Sequence, residues 1–352
     1  MSKDAEYLQF GGMAVPEGVM MRSPNHYAVA CRAPNGEIVC KTEPLEKTWI
    51  GRQQWLKKPF LRGTLAMLDT MALGIKAMNY ASNIQLDPRY MSEEEKAKAS
   101  GKEPSKALTG AAIAGTMILS LALGLAIFRF APELLAQFLA GNSQGKDAGG
   151  IKANYIAEII KVVLFIGYLS IIRRWEPIYE VFRYHGAEHK AINVVEAEEE
   201  LSIENAMGQT RLHPRCGTNF AIIVILIGFL LFPLIPRNLW FTGMTDEWLN
   251  MFTSKLLIAL SRLAIELMVL PIIAGISYEV IRAAGKAKDQ RWVNILLKPG
   301  LATQYITTAE PNEKHCEVAI RSLKAVMRAE ETGELDNTDH APADGVVEDV
   351  LT

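Results

Sequence analysis

The sequence predicts a mainly α protein, a polytopic helical membrane bundle of four spans with a small β-rich domain at its N-terminal end. Hydrophobic side chains make up 49% of the 352 residues, and the excess is gathered into four long stretches rather than spread evenly. A helix rising about 1.5 Å per residue needs roughly 20 apolar residues to cross a bilayer, and each stretch approaches that length. Residues 8–42, by contrast, are cut by Gly and Pro and carry β-favouring side chains in alternation.

Within the β-rich part, Gly11 to Pro24 is punctuated by Gly and Pro, and His26 to Cys31 reads as a strand. Ala33-Pro34-Asn35-Gly36 then forms a turn in which Pro34 supplies the fixed φ and Gly36 the positive φ. In that register Cys31 faces Val39, so Cys31 and Cys40 point to opposite sides of the ribbon, which argues against a disulfide between them. Neither they nor Cys216 and Cys316 form a CxxC pair. The chain opens without the basic and apolar run of a signal peptide, so the first domain is expected in the cytoplasm, where thiols stay reduced.

Leu61 to Ala81 is helical by period, with Arg62, Asp69 and Lys76 seven residues apart on one face. That pattern fits an amphipathic helix on the membrane surface or against the bundle, with a fifth span as the alternative. Residues 82–106 are a charged linker. The four spans are expected at Leu108 to Phe128, Tyr155 to Ile172, Thr218 to Ile235 and Lys255 to Ile281, the last containing Pro271 and Gly275. Pro177 is expected to kink the helix leaving the second span. Glu310-Pro311-Asn312-Glu313 looks like a helix start, and Val318, Leu323, Val326 and Met327 give the residues after it an apolar stripe. Eight Asp and Glu, with no Lys or Arg, follow Arg328, and disorder is expected there. The domains are therefore drawn at 1–60, 61–106, 107–282 with a loop at 173–217, 283–328, and an acidic tail at 329–352.

Sidedness follows from basic residues. Arg173, Arg174, Arg183, Lys190, Arg211 and Arg215 lie between the second and third spans, and Arg282, Lys286, Lys288, Arg291 and Lys298 follow the fourth. The opposite loops hold Arg129, Lys146 and Lys152, then Arg237. Both termini and the 173–217 loop are thus expected in the cytoplasm. The net charge of −2 gives no support to a nucleic-acid partner. The partner the composition implies is the lipid bilayer.

Chemistry is expected in that loop. His185 and His189 are four apart and Glu188 lies beside the second, so a helix would show all three on one face. Read as H-x-x-E-H, the pattern is the inverted zinc-peptidase signature, in which two imidazoles bind the metal and the carboxylate polarises its water. His213 and Cys216 are the nearest further ligands, and their chemistry suits zinc among divalent metals. The same spacing could serve a structural His pair that binds carboxylates or lipid phosphates. Gly186 inside a helical run costs about 1 kcal/mol relative to Ala, which hints at a close approach. The run Glu196 to Glu200 reads as a solvated face, with Glu196 a weak further ligand. Arg262 and Glu266 are a candidate intramembrane pair. Glu279 should emerge level with the His cluster, and Glu17 and Arg22 could join that surface or pair with one another.

Five motifs carry a resemblance: GGMAVPEGVMMRSP (Gly11 to Pro24), HGAEHK (His185 to Lys190), HPRCGT (His213 to Thr218), AGISYE (Ala274 to Glu279) and EPNEKHCEVAI (Glu310 to Ile320). In this order they resemble the YqhQ family of bacterial inner-membrane proteins, over about Gly11 to Met327. That family is catalogued as a domain of unknown function and described as candidate metal-dependent enzymes. The resemblance implies a multi-pass inner-membrane fold and a metal rather than a specific reaction. Met13, Pro16 and Ser23 stand where Gln, an aliphatic residue and Gly are expected of the family. The function expected is a metal-dependent hydrolase at the cytoplasmic membrane surface, acting on a membrane protein or a lipid. A membrane scaffold or biogenesis factor is the alternative, and a transporter using Arg262 and Glu266 the third.

Overall fold

The computed structural model describes residues 10–45, 58, 61–91, 106–140, 148–234, 251–286 and 290–337. Strands β1 (Gly11–Val15), β2 (Gly18–Arg22), β3 (His26–Arg32) and β4 (Ile38–Pro44) form a four-stranded antiparallel meander in sequence order. Cys31 pairs with Val39 and Ala30 with Cys40, the register that the Pro34-Gly36 turn demands. Gly36 has φ of 92° and its N–H donates to the Ala33 carbonyl at 2.8 Å. Cys31 and Cys40 are both buried, and no disulfide joins them.

The helices are α1 (Leu61–Leu86), α2 (Lys106–Leu125), a π-helical turn (Ala126–Phe130), α3 (Ala131–Ala140), α4 (Ala148–Ile172), α5 (Glu176–Glu196), α6 (Ile203–Gly208), α7 (Gly217–Leu231), α8 (Met251–Lys286), α9 (Arg291–Thr307) and α10 (Glu313–Thr332). Both sheet faces are covered. Val19, Met21, Ala28, Ala30 and Cys40 pack on α5 and α10 through Tyr184, Ala187, Val318, Leu323 and Val326. Met20, Tyr27, Val29, Cys31 and Val39 pack on α1 through Leu73, Ala77, Ala81 and Ile84. Those four α1 residues recur at helical spacing, so one stripe covers the sheet and leaves Leu68, Met71, Ile75 and Met78 exposed on the other side, as in an interfacial helix. Asn312 caps α10 with its side chain, and the helix carries the expected apolar stripe.

Among the described residues, four helical stretches are long and apolar enough to cross a membrane: Ile118–Ala140, Lys152–Ile172, Gly217–Leu234 and Leu263–Ala283. The protein is therefore a multi-pass membrane protein, and α1 is not among these stretches. All four overlap the expected spans, and the first runs past its expected end at Phe128 to Ala140. Expectation ended that span before Arg129, but the helix continues through the π turn with Arg129 buried, 3.5 Å from Glu266 and 3.7 Å from Glu133. Paired charges can sit inside a bundle that an isolated arginine would have to leave.

Other expectations change for local reasons. Pro177 does not kink a continuing helix: α4 stops at Ile172, a turn intervenes, and α5 begins afresh with Pro177 in its first turn, where the missing N–H costs nothing. Glu266 reaches Arg129 and Lys161; the Arg262 side chain lies outside the described residues. The chain after Arg328 remains ordered through Asn337. There, α10 runs to Thr332, Gly333 closes it with φ of 74°, and the Thr42 N–H donates to the Asp336 carbonyl at 3.0 Å. The rest of the tail, residues 338–352, lies outside the described residues. α10 shares its hydrophobic core with the N-terminal sheet.

Glu330 ties that helix to the sheet, accepting from Ser23 Oγ at 2.7 Å and Asn25 Nδ2 at 2.6 Å, with His26 Nδ1 at 3.0 Å. Burial pushes its carboxyl up, but these donors outweigh it and hold the group down from 4.5 to about 2. A depressed carboxyl stabilises the fold fully above its unfolded value and loses that contribution as pH falls through the folded one. Between pH 4.5 and about 2, the thermal midpoint of the detergent-solubilised protein should therefore fall more steeply than that of Glu330→Gln. Parallel slopes would show that the contact contributes nothing.

A candidate metal centre at the head of the third span

The centre is built from α5 and the N-terminus of α7. One face of α5 enters the core through Tyr184, Ala187, Ala191 and Val194. His185, Glu188 and His189 share a neighbouring face by their spacing. Cys216 is the N-cap of α7, and its Sγ accepts from the Thr218 hydroxyl at 3.2 Å. The candidate ligand atoms of His185, His189 and Cys216 all lie within 4.8 Å of one another, with His185 Nε2 3.2 Å from the sulfur. The two imidazole rings meet edge to face at 4.5 Å.

Both rings are fixed from behind. His185 Nδ1 lies 2.8 Å from the Thr307 carbonyl, and His189 Nδ1 lies 2.6 Å from the Arg211 carbonyl. A carbonyl can only accept, so each Nδ1 carries the proton and each Nε2 presents a lone pair toward the sulfur. Ligating histidines are held in this way in metal sites. His189 Nε2 and Glu188 Oε2 are buried and have no hydrogen-bond partner. An orphaned imidazole nitrogen is costly, and a metal ion held jointly by the three side chains would satisfy it. The donor set thus fits a divalent metal.

The electrostatics agree with a site built for charge. Burial pushes the Cys216 thiol up, but the His189 imidazole and the Thr218 donors outweigh it and leave the thiol below its ordinary value. Only His185 Nε2 approaches the sulfur in hydrogen-bonding geometry; His189 acts through proximity. Burial lowers His189, the direction a metal ligand requires, against the pull of Cys216 and the Arg211 carbonyl. Burial also raises Glu188 to about 8, against the pull of His185 and of the Gly12 N–H that donates to it. A cavity of about 230 Å³ opens beside these groups, lined by Gly12 and Arg22 from the sheet, Thr70 from α1, Glu188 and His189 from α5, and Arg215, Cys216 and Gly217 at the head of α7.

The other expected residues divide. Arg22 and His213 line the same cavity. His213 Nε2 is 3.0 Å from Glu196 Oε1, and Arg215 pairs with the same carboxylate, so Glu196 supports His213 rather than joining the cluster. The residues after it, Ala197 to Glu200, are exposed. Glu17 sits in the β1–β2 turn at φ of 53° and accepts from the Tyr184 hydroxyl at 3.3 Å. It is at the opposite end of β2 from Arg22, and the two do not pair. Glu279 is held by Arg62 of α1 at 2.7 Å, a staple between α1 and α8 outside the cavity. Glu266 belongs to the charge network inside the bundle.

Three contributors escaped the sequence. Gly12 lies so close to Glu188 that a Cβ would stand 3.1 Å from its carboxylate and 2.4 Å from the Met20 carbonyl. The Thr307 and Arg211 carbonyls are backbone groups, and no side-chain pattern marks them. For Gly12 the adjacent pair Gly11-Gly12 at the start of a strand was the available signal.

Four membrane-length helices, a small antiparallel sheet and a buried His/His/Cys cluster define a multi-pass membrane protein with a candidate metal-coordinating centre. The family model described as "Protein of unknown function (DUF1385)" matches residues 58–329, and the chain belongs to that family. It is 32% identical over 338 residues, covering 95% of this chain and 97% of the relative, to the "Uncharacterized protein YqhQ" of Bacillus subtilis (strain 168). No solved structure matches the chain.

Gly186 meets the expected close approach: a Cβ there would stand 2.2 Å from the Ala309 carbonyl oxygen. Gly186→Ala should force α5 away from that segment and destabilise the protein by about 1–3 kcal/mol, the usual cost of overpacking. An unchanged thermal midpoint would show that the segment yields freely.

Proposed function

We propose that His185, His189 and Cys216 hold a divalent metal, zinc by donor type, and that the protein is a metal-dependent hydrolase acting on a membrane protein or a lipid headgroup. The observation that carries this is the pair of imidazoles locked through Nδ1 by backbone carbonyls, with the orphaned Nε2 of His189 turned toward the thiol. A metal so held supplies an activated water and a Lewis acid for a carbonyl or phosphoryl oxygen. The chain does the rest. Cys216 contributes thiolate charge, and the two histidines fix the donor geometry. Glu188 faces the cavity with a free Oε2, and with its raised carboxyl returned to carboxylate by the charge of a bound cation it would be positioned to take the proton of the attacking water and return it to the leaving group. His213, offered above as an alternative third donor, is the weaker choice because Glu196 occupies its Nε2.

What supports a cytoplasmic site on a bacterial inner membrane is the charge distribution. The segment from Arg173 to Arg215 is rich in Arg and Lys, and the burial of Arg129 within its span leaves the opposite side poorer still in basic residues. A non-enzymatic scaffold with a structural metal is the second reading. It is favoured by the way the cluster joins α5 and α7 to the carbonyl ending α9.

Detergent-purified protein should carry about one metal per chain, and His185→Ala/His189→Ala less than about 0.2 equivalents, by elemental analysis. Metal absent from both would sink the metal centre. Glu188→Gln should keep its metal yet fail to replace the wild-type chain in cells; full replacement by Glu188→Gln would favour the scaffold.

A further inference from the structure

We infer that the cavity receives a phosphate-bearing substrate and that Arg22 is the residue that holds its anionic group. This rests on the hydrolase reading for its chemistry, but the recognition is argued from separate groups.

Arg22 ends β2 on the α1 side of the sheet and lines the cavity together with Glu188, His189 and Cys216. Four other arginines around this layer are engaged by carboxylates: Arg32 by Glu317, Arg183 by Glu180, Arg211 by Glu310 and Arg215 by Glu196. Among the described residues no carboxylate pairs with Arg22 and no hydrogen bond is made by its guanidinium. Its cross-strand neighbour is Gly11, where a Cβ would meet nothing within 4 Å, so the strand pair leaves open space at that position. A planar guanidinium with its donors uncommitted, facing a partly enclosed cavity, suits bidentate binding of an oxyanion.

Two further features set the sign and the depth. The 15-residue helix α7 points its N-terminus into the same cavity through Cys216 and Gly217, and its dipole favours negative charge there. Gly217 is also the first residue of a membrane span, so the cavity lies at the level where a bilayer carries its phosphates. The orphaned His189 Nε2 and Glu188 Oε2 open on the same space, which places an anion held by Arg22 beside the groups proposed to act on it. Hydrolysis of such an ester adds water across the P–O bond: the water oxygen bonds to phosphorus, the alcohol leaves with the proton passed by Glu188, and the phosphate stays with Arg22.

The test uses full-length protein in detergent, with metal content measured on every sample and inorganic phosphate as the probe, followed by calorimetric titration. Wild type should bind phosphate, Arg22→Gln at least about tenfold more weakly, and Arg22→Lys in between, with metal content and thermal midpoint unchanged in both variants. Repeating the titration in phosphatidylcholine nanodiscs with and without phosphatidic acid separates the sources. Competition by phosphatidic acid in wild type alone points to a lipid headgroup, and its absence to a soluble phosphate ester. No phosphate binding by wild type, equal binding by Arg22→Gln, or acetate binding as tightly as phosphate would overturn the inference. Failure of the metal reading would appear separately, as protein without metal that still binds phosphate through Arg22.

Discussion

The passage of the chain over Gly186 is the contact on which the centre depends. The Ala309 N–H donates to the Phe182 carbonyl at 2.8 Å, and the Ala309 carbonyl lies where a side chain at position 186 would have to go. With α5 and the end of α9 pressed together, the Thr307 carbonyl falls on His185 Nδ1 and fixes the ring. One turn on, the loop before α7 brings the Arg211 carbonyl to His189. The histidines are thus oriented by backbone from two segments distant in sequence. Such support is stiffer than a side chain could provide, because a carbonyl cannot rotate away without moving the main chain around it. Lys190 fastens the same region, buried between the Met207 carbonyl and Glu310.

A second constraint lies inside the membrane. Arg129, Glu133, Glu158, Lys161 and Glu266 bring α3, α4 and α8 together through paired charge. Each would be expensive alone in hydrocarbon, and breaking one pair would strand its partner. The π turn at Ala126–Phe130 is the local adjustment that carries Arg129 in the bundle, and such turns commonly mark places where a side chain must be re-aimed.

Much of this was legible in the sequence, and what was not has physical causes. The turn at Pro34-Gly36 set the β3–β4 register, because a fixed φ followed by a positive φ admits few alternatives. The i, i+4 histidines announced their shared face, and Gly186 its close approach. The alternation read in β3 was misleading in detail, since its five central residues are all buried; a sheet covered on both faces leaves no solvent side to mark. Arg129 misplaced the end of the first span, because a hydropathy reading prices each charge as unpaired. The ion pair of Glu279 with Arg62 joins positions more than two hundred residues apart, beyond any local pattern. The same holds for the carbonyls behind the histidines and for Gly12 beneath Glu188.

The position of Cys216 joins these two halves. As N-cap it ends the loop that fixes His189 and begins a helix that enters the bilayer, so the sulfur sits where the sheet layer meets the membrane. An N-cap normally uses Ser, Thr, Asp or Asn, whose oxygens accept well from the first-turn N–H groups. A thiol accepts poorly, and the Thr218 N–H is 3.5 Å from this one. Cysteine here gives up capping strength, a cost that its chemistry must offset. Lowered toward thiolate by His189, Thr218 and the start of α7, the sulfur becomes both a better acceptor for the helix and a softer donor for a metal. Serine would recover the cap and lose the metal donor, which is the physical reason to read Cys216 as belonging to the centre rather than to the helix.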